Sequence, residues 1–239
     1  MSNAFVCGLR ACASCSHKFP SLLIFILTLL TLAGATATTT HASTINVPAG
    51  GDFQQALNVA QPGDEIVLQA GASYVGPFTL PYKANAGTGE QYIIIRTSAL
   101  STLPAAGQRI TPADSALLPK LVSPGQGFPA LRTAASAHHY RLVGIEFLSI
   151  APDATVYELV ILGNHGTNQD TLSEVPHHLT LDRCYIHAFP TQSLKRGIAL
   201  NSAHTDIINS FISGFKVAGQ EAQAILGWNG PGPFLIENN

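Results

Sequence analysis

The chain has 239 residues, 46% of them hydrophobic and only 11% charged, with a formal net charge of −2. That balance is too apolar for a disordered chain and carries no basic footprint for nucleic acid. With 21 Gly and 15 Pro, it suits a turn-rich β protein.

Residues 1–37 hold Arg10 and Lys18, no acidic side chain, an apolar run from Leu22 to Leu32, and Ala35 and Ala37 in an A-x-A arrangement. A basic start, an apolar middle and a small-residue end describe a secretory signal peptide, cut near Ala37 or after Ala42. The apolar run is shorter than the ~20 residues that span a bilayer. The expectation is an exported protein, secreted or periplasmic, with no membrane span after cleavage. Removing the leader leaves 10 basic side chains (12 minus 2) against 14 acidic ones, a balance of −4. Of the four cysteines only Cys184 remains, so no internal disulfide forms, and Cys184 reads as a small core residue.

TINVPAG (44–50) predicts a first strand and turn. In GDFQQALNVAQPGD, Phe53, Ala56, Leu57 and Ala60 form one apolar stripe on a short helix, N-capped by Asp52 and stopped by Pro62-Gly63. EIVLQAG and SYVGPFTLP predict short strands, the second broken at Gly76-Pro77. YKANAGTGE (82–90) reads as a loop. In QYIIIRTS (91–98), three successive isoleucines imply burial on both faces or nearly so, as in parallel sheets. Five prolines punctuate residues 99–136, which predict loops around a short strand near Leu121-Val122. YRLVGIEFLS (140–149) restores the strand signal.

From there the chain repeats. HLTLDRCYI, HTDIINSFI and PFLIENN align Leu181, Ile207 and Ile236 at steps of 26 (207 minus 181) and 29 (236 minus 207). Leu142 precedes Leu181 by 39, which is one period plus an inserted loop at 163–178. A second strand set places Leu162, Leu200 and Leu226 in another row, with steps of 38 and 26. Segments of four to seven residues, rich in β-branched side chains, predict a coil of short strands pairing in parallel from turn to turn. Arg183, Asn209 and Asn238 share one register at a bend, where stacked amides can bond from rung to rung. The repeat stops at Asn239, where its register expects the strand to continue, so the domain over 44–239 is expected to be incomplete at its C-terminal end.

The block VPAGGDFQQALNVAQPGDEIVLQAGASYVGPFTL, with the later GIEF, DRCYIH and INSFISGF, resembles the right-handed parallel β-helix proteins of the pectin/pectate-lyase-like superfamily, nearest its alginate lyase and chondroitinase B branch. The resemblance implies an all-β solenoid with an N-terminal capping helix. It also implies a polysaccharide lyase acting on uronate-containing glycans by β-elimination, with Ca²⁺ as the implied cofactor. The alternative is a non-catalytic glycan-binding or cell-envelope scaffold, and in either case a monomer. No vWiDH-like or RxPxxR segment is present, and HTD (204–206) only partly echoes the polygalacturonase pattern, so hydrolysis by paired carboxylates is unsupported.

The catalytic candidates are Lys195 and Arg196, two cations just before a strand, with His187 and His204 in neighbouring turns. Trp228 and Asn229, beside the turn Gly230-Pro231-Gly232-Pro233, with Glu221 and Gln223, are the substrate-binding candidates. His138-His139 and His177-His178 each precede a strand and read as turn residues, since adjacent histidines supply few metal ligands. Asp182, Asp206, Glu221 and Glu237 offer oxygen atoms but no compact calcium loop, so no metal residue is assigned.

Overall fold

A computed structural model describes residues 42–84 and 91–239; the expected leader and residues 85–90 of the first loop lie outside the described residues. The chain starts with β1 (Thr44–Val47) and α1 (Phe53–Val59), and then coils. Each full coil contains three strands: β2 (Glu65–Leu68), β3 (Ser73–Val75) and β4 (Phe78–Leu80), then β5 (Ile93–Thr97), β6 (Lys120–Ser123) and β7 (Leu131–Thr133). The third coil holds β8 (His138–Val143), β9 (Glu146–Ser149) and β10 (Glu158–Leu162), and the fourth β11 (His177–Asp182), β12 (Tyr185–His187) and β13 (Arg196–Leu200). The fifth contains β14 (Ala203–Ile208), β15 (Phe211–Ser213) and β16 (Gln223–Leu226), and β17 (Phe234–Glu237) follows.

Equivalent strands pair in parallel into three sheets. Sheet A has the order β1-β2-β5-β8-β11-β14-β17, sheet B β15-β12-β9-β6-β3, and sheet C β16-β13-β10-β7-β4. This is the expected parallel β-helix.

Its core consists of three stacked rows. Sheet A places Ile45, Ile66, Ile95, Leu142, Leu181, Ile207 and Ile236 in one register. Sheet B stacks Tyr74, Leu121, Phe147, Ile186 and Ile212, and sheet C stacks Phe78, Leu131, Val160, Ile198 and Ile225. All but the outermost members are buried, so each coil shields the apolar face of the next. At the N-terminal end α1 covers the first coil. Asp52 Oδ1 accepts from Gln55 N at 2.9 Å, and the Phe53 ring meets Phe78 edge-on at 4.9 Å.

Leu142, Leu181, Ile207 and Ile236 fall in one row as expected, and Leu162 aligns with Leu200. Leu226 does not continue that second row. It pairs with Ala199, because Arg196 pairs with Gln223 and this step is 27 residues (223 minus 196) rather than 26. Ile225 takes the inward place. Ile94 differs too: Ile93 and Ile95 are buried, whereas Ile94 is half-buried on the other face, between Glu65 and Arg141. The histidine pairs are not turn residues, since His138-His139 open β8 and His177-His178 open β11.

The bend from sheet A to sheet B repeats one backbone state. Gly144, Arg183, Asn209 and Asn238 all have positive φ, from 52° to 66°. Asparagine tolerates this left-handed region, and its side chain finds partners along the stack. Asn238 Nδ2 donates to Asn209 Oδ1 at 2.9 Å, the rung-to-rung amide bond expected here, whereas Asn209 Nδ2 donates at 3.1 Å to Asp182 Oδ1 and not to its register partner Arg183. Residues 99–119 run along the outside of this bend. Arg183 donates to Pro104 O, Ile110 N to Asn209 O, and Leu103, Ile110 and Leu118 form a small second core. Cys184 is fully buried just past the bend, and burial pushes its thiol up to about 12, which suits the core role expected for it.

Candidate functional site: the cleft and turn flanking Arg196

The enlarged step between the third and fourth coils builds the site. Glu158 of β10 pairs in register with Arg196 of β13, a step of 38 (196 minus 158), and Arg196 with Gln223 of β16. Arg196 donates to Glu158 Oε1 at 2.6 Å, and its guanidinium carbon lies 4.6 Å from the Trp228 ring centroid. The carboxylate and the indole together fix the guanidinium as a half-buried cation under an aromatic plate.

One residue earlier, Lys195 lines a cleft of about 620 Å³ with Tyr157, Asp153, Thr191, Ser193 and Gln220. Its ammonium donates to Gln220 Oε1 at 3.1 Å. Tyr157 is 59% exposed and Trp228 48% exposed. Two aromatic side chains thus stand in solvent on either side of the Lys195-Arg196 step, Tyr157 in the cleft and Trp228 over a shallower depression lined by Gln169, Thr171 and Pro231. Exposed aromatics beside cations offer apolar plates for sugar rings and charge for their carboxylates.

The inserted loop holds Trp228 in place. Buried Asn201 accepts through Oδ1 from both Trp228 N (2.8 Å) and Asn229 N (3.0 Å). Gln169 of the loop donates to Asn201 O at 2.7 Å and to Asn229 O at 3.1 Å, and Asn229 Nδ2 returns to Gln169 O at 2.8 Å. His165, from the same loop, lies 5.4 Å from the Trp228 ring. Three amide side chains, one from each of three successive coils, therefore hold the chain that carries this indole.

Of the residues singled out from the sequence, Lys195, Arg196, Trp228, Asn229 and Gln223 meet around this step. The Asn229 side chain is engaged by the loop, and Gln223 Nε2 donates to Glu221 Oε2 at 3.3 Å. His187 and His204 lie elsewhere. His187 ends β12 on sheet B, where Nε2 is 3.0 Å from Glu146 Oε1 and its ring stacks on Tyr185 at 4.0 Å. Glu146 also receives Ser115 Oγ at 2.6 Å and Lys120 Nζ at 2.9 Å. Burial pushes the Glu146 carboxyl up, but the hydrogen bonds from His187, Ser115 and Lys120 outweigh it, and the net value falls below the ordinary range. His204 stacks on His178 in sheet A, 4.8 Å between centroids.

Sequence reasoning missed Tyr157, Asn201, Gln169 and the Glu146 network. The 38-residue offset seen in the sequence carries Tyr157 onto Lys195 and Glu158 onto Arg196, so a signal for those two existed. Among the described residues, three or more carboxylates do not gather into an oxygen-ligand set for Ca²⁺. Asp182 is occupied by Arg141, Arg183 and Asn209. Among the described residues, the grouping of three or more His, Cys, Asp or Glu ligand atoms is made of imidazoles, not the oxygens Ca²⁺ takes.

No family model and no curated protein matches the sequence. Among solved structures, the chain is similar to an alginate lyase from Paenibacillus sp. str. FPU-7, with 20% identity and a TM-score of 0.48, covering 71% of this chain and 44% of that one. It is also similar to the PL6 family alginate lyase AlyGC, with 16% identity and a TM-score of 0.42, covering 69% of this chain and 18% of that one. The chain thus spans less than half the length of either. Its architecture is the three-sheet coil expected from the resemblance to pectate-lyase-like proteins. Among the described residues no helix is long and apolar enough to cross a membrane.

Proposed function

We propose that this chain binds an acidic, uronate-containing polysaccharide along the outside of sheet C and acts as a polysaccharide lyase there. The observation that supports this reading is the Lys195 ammonium in an open cleft beside exposed Tyr157, one residue from the Arg196–Trp228 pair. A flexible polyanion needs apolar plates for its rings and cations for its carboxylates, and this step offers both, Lys195 and Arg196 as the cations and Tyr157 and Trp228 as the plates. Secretion fits the same reading, because such polymers lie outside cells and residues 1–37 read as a leader.

In β-elimination the proton α to the uronate carboxylate leaves, its electron pair forms the new C=C bond, and the glycosidic C–O bond breaks with protonation of the departing oxygen. The carboxylate must first be neutralised, which the Lys195 ammonium accomplishes by pairing with it. Tyr157, which lines the same cleft, is the group placed for both proton transfers, taking the α-proton as its phenolate and returning it as the hydroxyl to the departing oxygen. Arg196, held by Glu158, contributes binding charge, and Trp228 contributes a stacking plate.

The test is absorbance near 235 nm with alginate, pectate and chondroitin, run beside affinity electrophoresis in the same polymers. An absorbance rise that disappears in Lys195→Met supports the lyase. Retardation without any rise would leave the non-catalytic glycan binder, and neither signal would sink both readings.

A further inference from the structure

The entry to sheet A carries a cluster that the proposed site does not use. His177 pairs in register with His138, and rungs three and four therefore stack their histidines in two columns. His138 lies over His177 with centroids 5.0 Å apart and an 8° tilt, and His139 over His178 at 4.7 Å and 3°. Neighbours along a strand normally point to opposite faces. Here the second histidine of each pair is left-handed, with φ 57° at His139 and 54° at His178, and this turns both rings of a pair to one side. Nδ1 of His138 is 2.7 Å from Nδ1 of His139, and Nδ1 of His177 is 2.6 Å from Nδ1 of His178.

Ligand nitrogens of His139, His177 and His178 lie within 4.8 Å of one another, all on half-buried side chains. We propose that these three histidines bind one divalent transition-metal ion of the copper or nickel kind, with His138 orienting the set. Imidazole donors suit these metals, and a tetragonal arrangement suits the spacing. Two nitrogens each about 2.0–2.1 Å from a metal are ~2.9 Å apart at a right angle and ~4.1 Å apart on opposite sides. The short His177–His178 edge opens by a few tenths of an ångström to reach the first value, and the 4.8 Å bound on the set leaves room for His139 at the second. A tetrahedral ion, needing ~3.4 Å between every pair, fits the short edge less well. Ligation also requires neutral imidazoles. Burial and the neighbouring rings hold His177 down to about 4, so it is uncharged at neutral pH.

The bound ion ties β8 to β11 across the coil that carries the inserted loop, independently of whether sheet C binds a glycan. The test is equilibrium dialysis of the full chain, without a polyhistidine tag, against Cu²⁺ or Ni²⁺ alone, with electron paramagnetic resonance of the copper form. The expected result is a tight site whose spectrum shows coupling to at least two ring nitrogens. His178→Asn, which keeps a residue tolerant of positive φ, weakens it by at least about a hundredfold, and His138→Gln by about tenfold to a hundredfold, as expected for an orienting partner. Circular dichroism establishes that each variant is folded. An unchanged affinity in folded His178→Asn, or a wild-type copper spectrum without nitrogen coupling, overturns the proposal.

Discussion

Asn201 accepts the backbone N–H groups of both Trp228 and Asn229 through a single oxygen, at 2.8 and 3.0 Å, from a side chain with no exposed surface. The orientation of the indole therefore depends on a residue 27 positions earlier that touches no solvent. Asn201→Ala removes the acceptor and leaves two donors to find water. The expected cost is about 1–3 kcal/mol in urea unfolding, with a larger fractional loss of polysaccharide binding than the stability change alone predicts.

Trp228 is the single tryptophan of the chain, so its fluorescence reports the site without ambiguity. Adding an acidic oligosaccharide is expected to shift its emission, and Trp228→Ala to weaken binding about tenfold, near the ~1.4 kcal/mol that ring contacts supply. Arg196→Lys, which keeps charge but loses the planar contact with the ring, is expected to weaken binding less. An emission spectrum indifferent to every acidic glycan tried would place binding elsewhere.

The Glu146 carboxylate predicts a pH dependence of stability. Its folded value lies below the ordinary 4.5, so its contribution is fully present above that value and is lost as pH falls through the lower folded one. Unfolding followed from pH 6 to about pH 3 should show stability falling in the wild type. In Glu146→Gln the slope should be shallower, because the group no longer titrates.

The asparagine ladder separates backbone from side-chain effects. At Asn209, with φ of 54°, Gly keeps the left-handed conformation and loses only the hydrogen bonds to Asp182 and Asn238. Asn209→Gly is expected to cost about 1–2 kcal/mol. Asn209→Val adds the left-handed penalty of a further ~1–2 kcal/mol and should be the worse of the two in the same denaturation experiment.

The coil was legible in the sequence wherever one residue per rung repeated an apolar identity, as Leu142, Leu181 and Ile207 do. It failed where the rung changed length: one extra residue before Gln223 moved Leu226 out of the row that Leu162 and Leu200 share. Residues 99–119 were illegible for another reason. They cross the rungs instead of joining them, so their apolar side chains, Leu103, Ile110 and Leu118, answer to Tyr185 and Phe211 and follow no period of their own. At the site, the cations and the tryptophan stood out by type, whereas Tyr157 required the coil offset to be carried from Lys195. The histidine pairs were visible as dipeptides, but their stacking depends on a backbone state that composition does not reveal.

The enlarged coil also bears on how such a chain assembles. Each new rung closes a loop onto one already formed, and chain entropy grows only with the logarithm of loop length. Lengthening the step from 26 residues (Leu181 to Ile207) to 39 (Leu142 to Leu181) adds about 0.4 kcal/mol to that closure. A single hydrogen bond such as that from Gln169 Nε2 to Asn201 O returns more, about 1 kcal/mol. The inserted loop thus leaves the winding of the solenoid nearly unhindered, and the rung above it can template on the rung below as if the loop were absent.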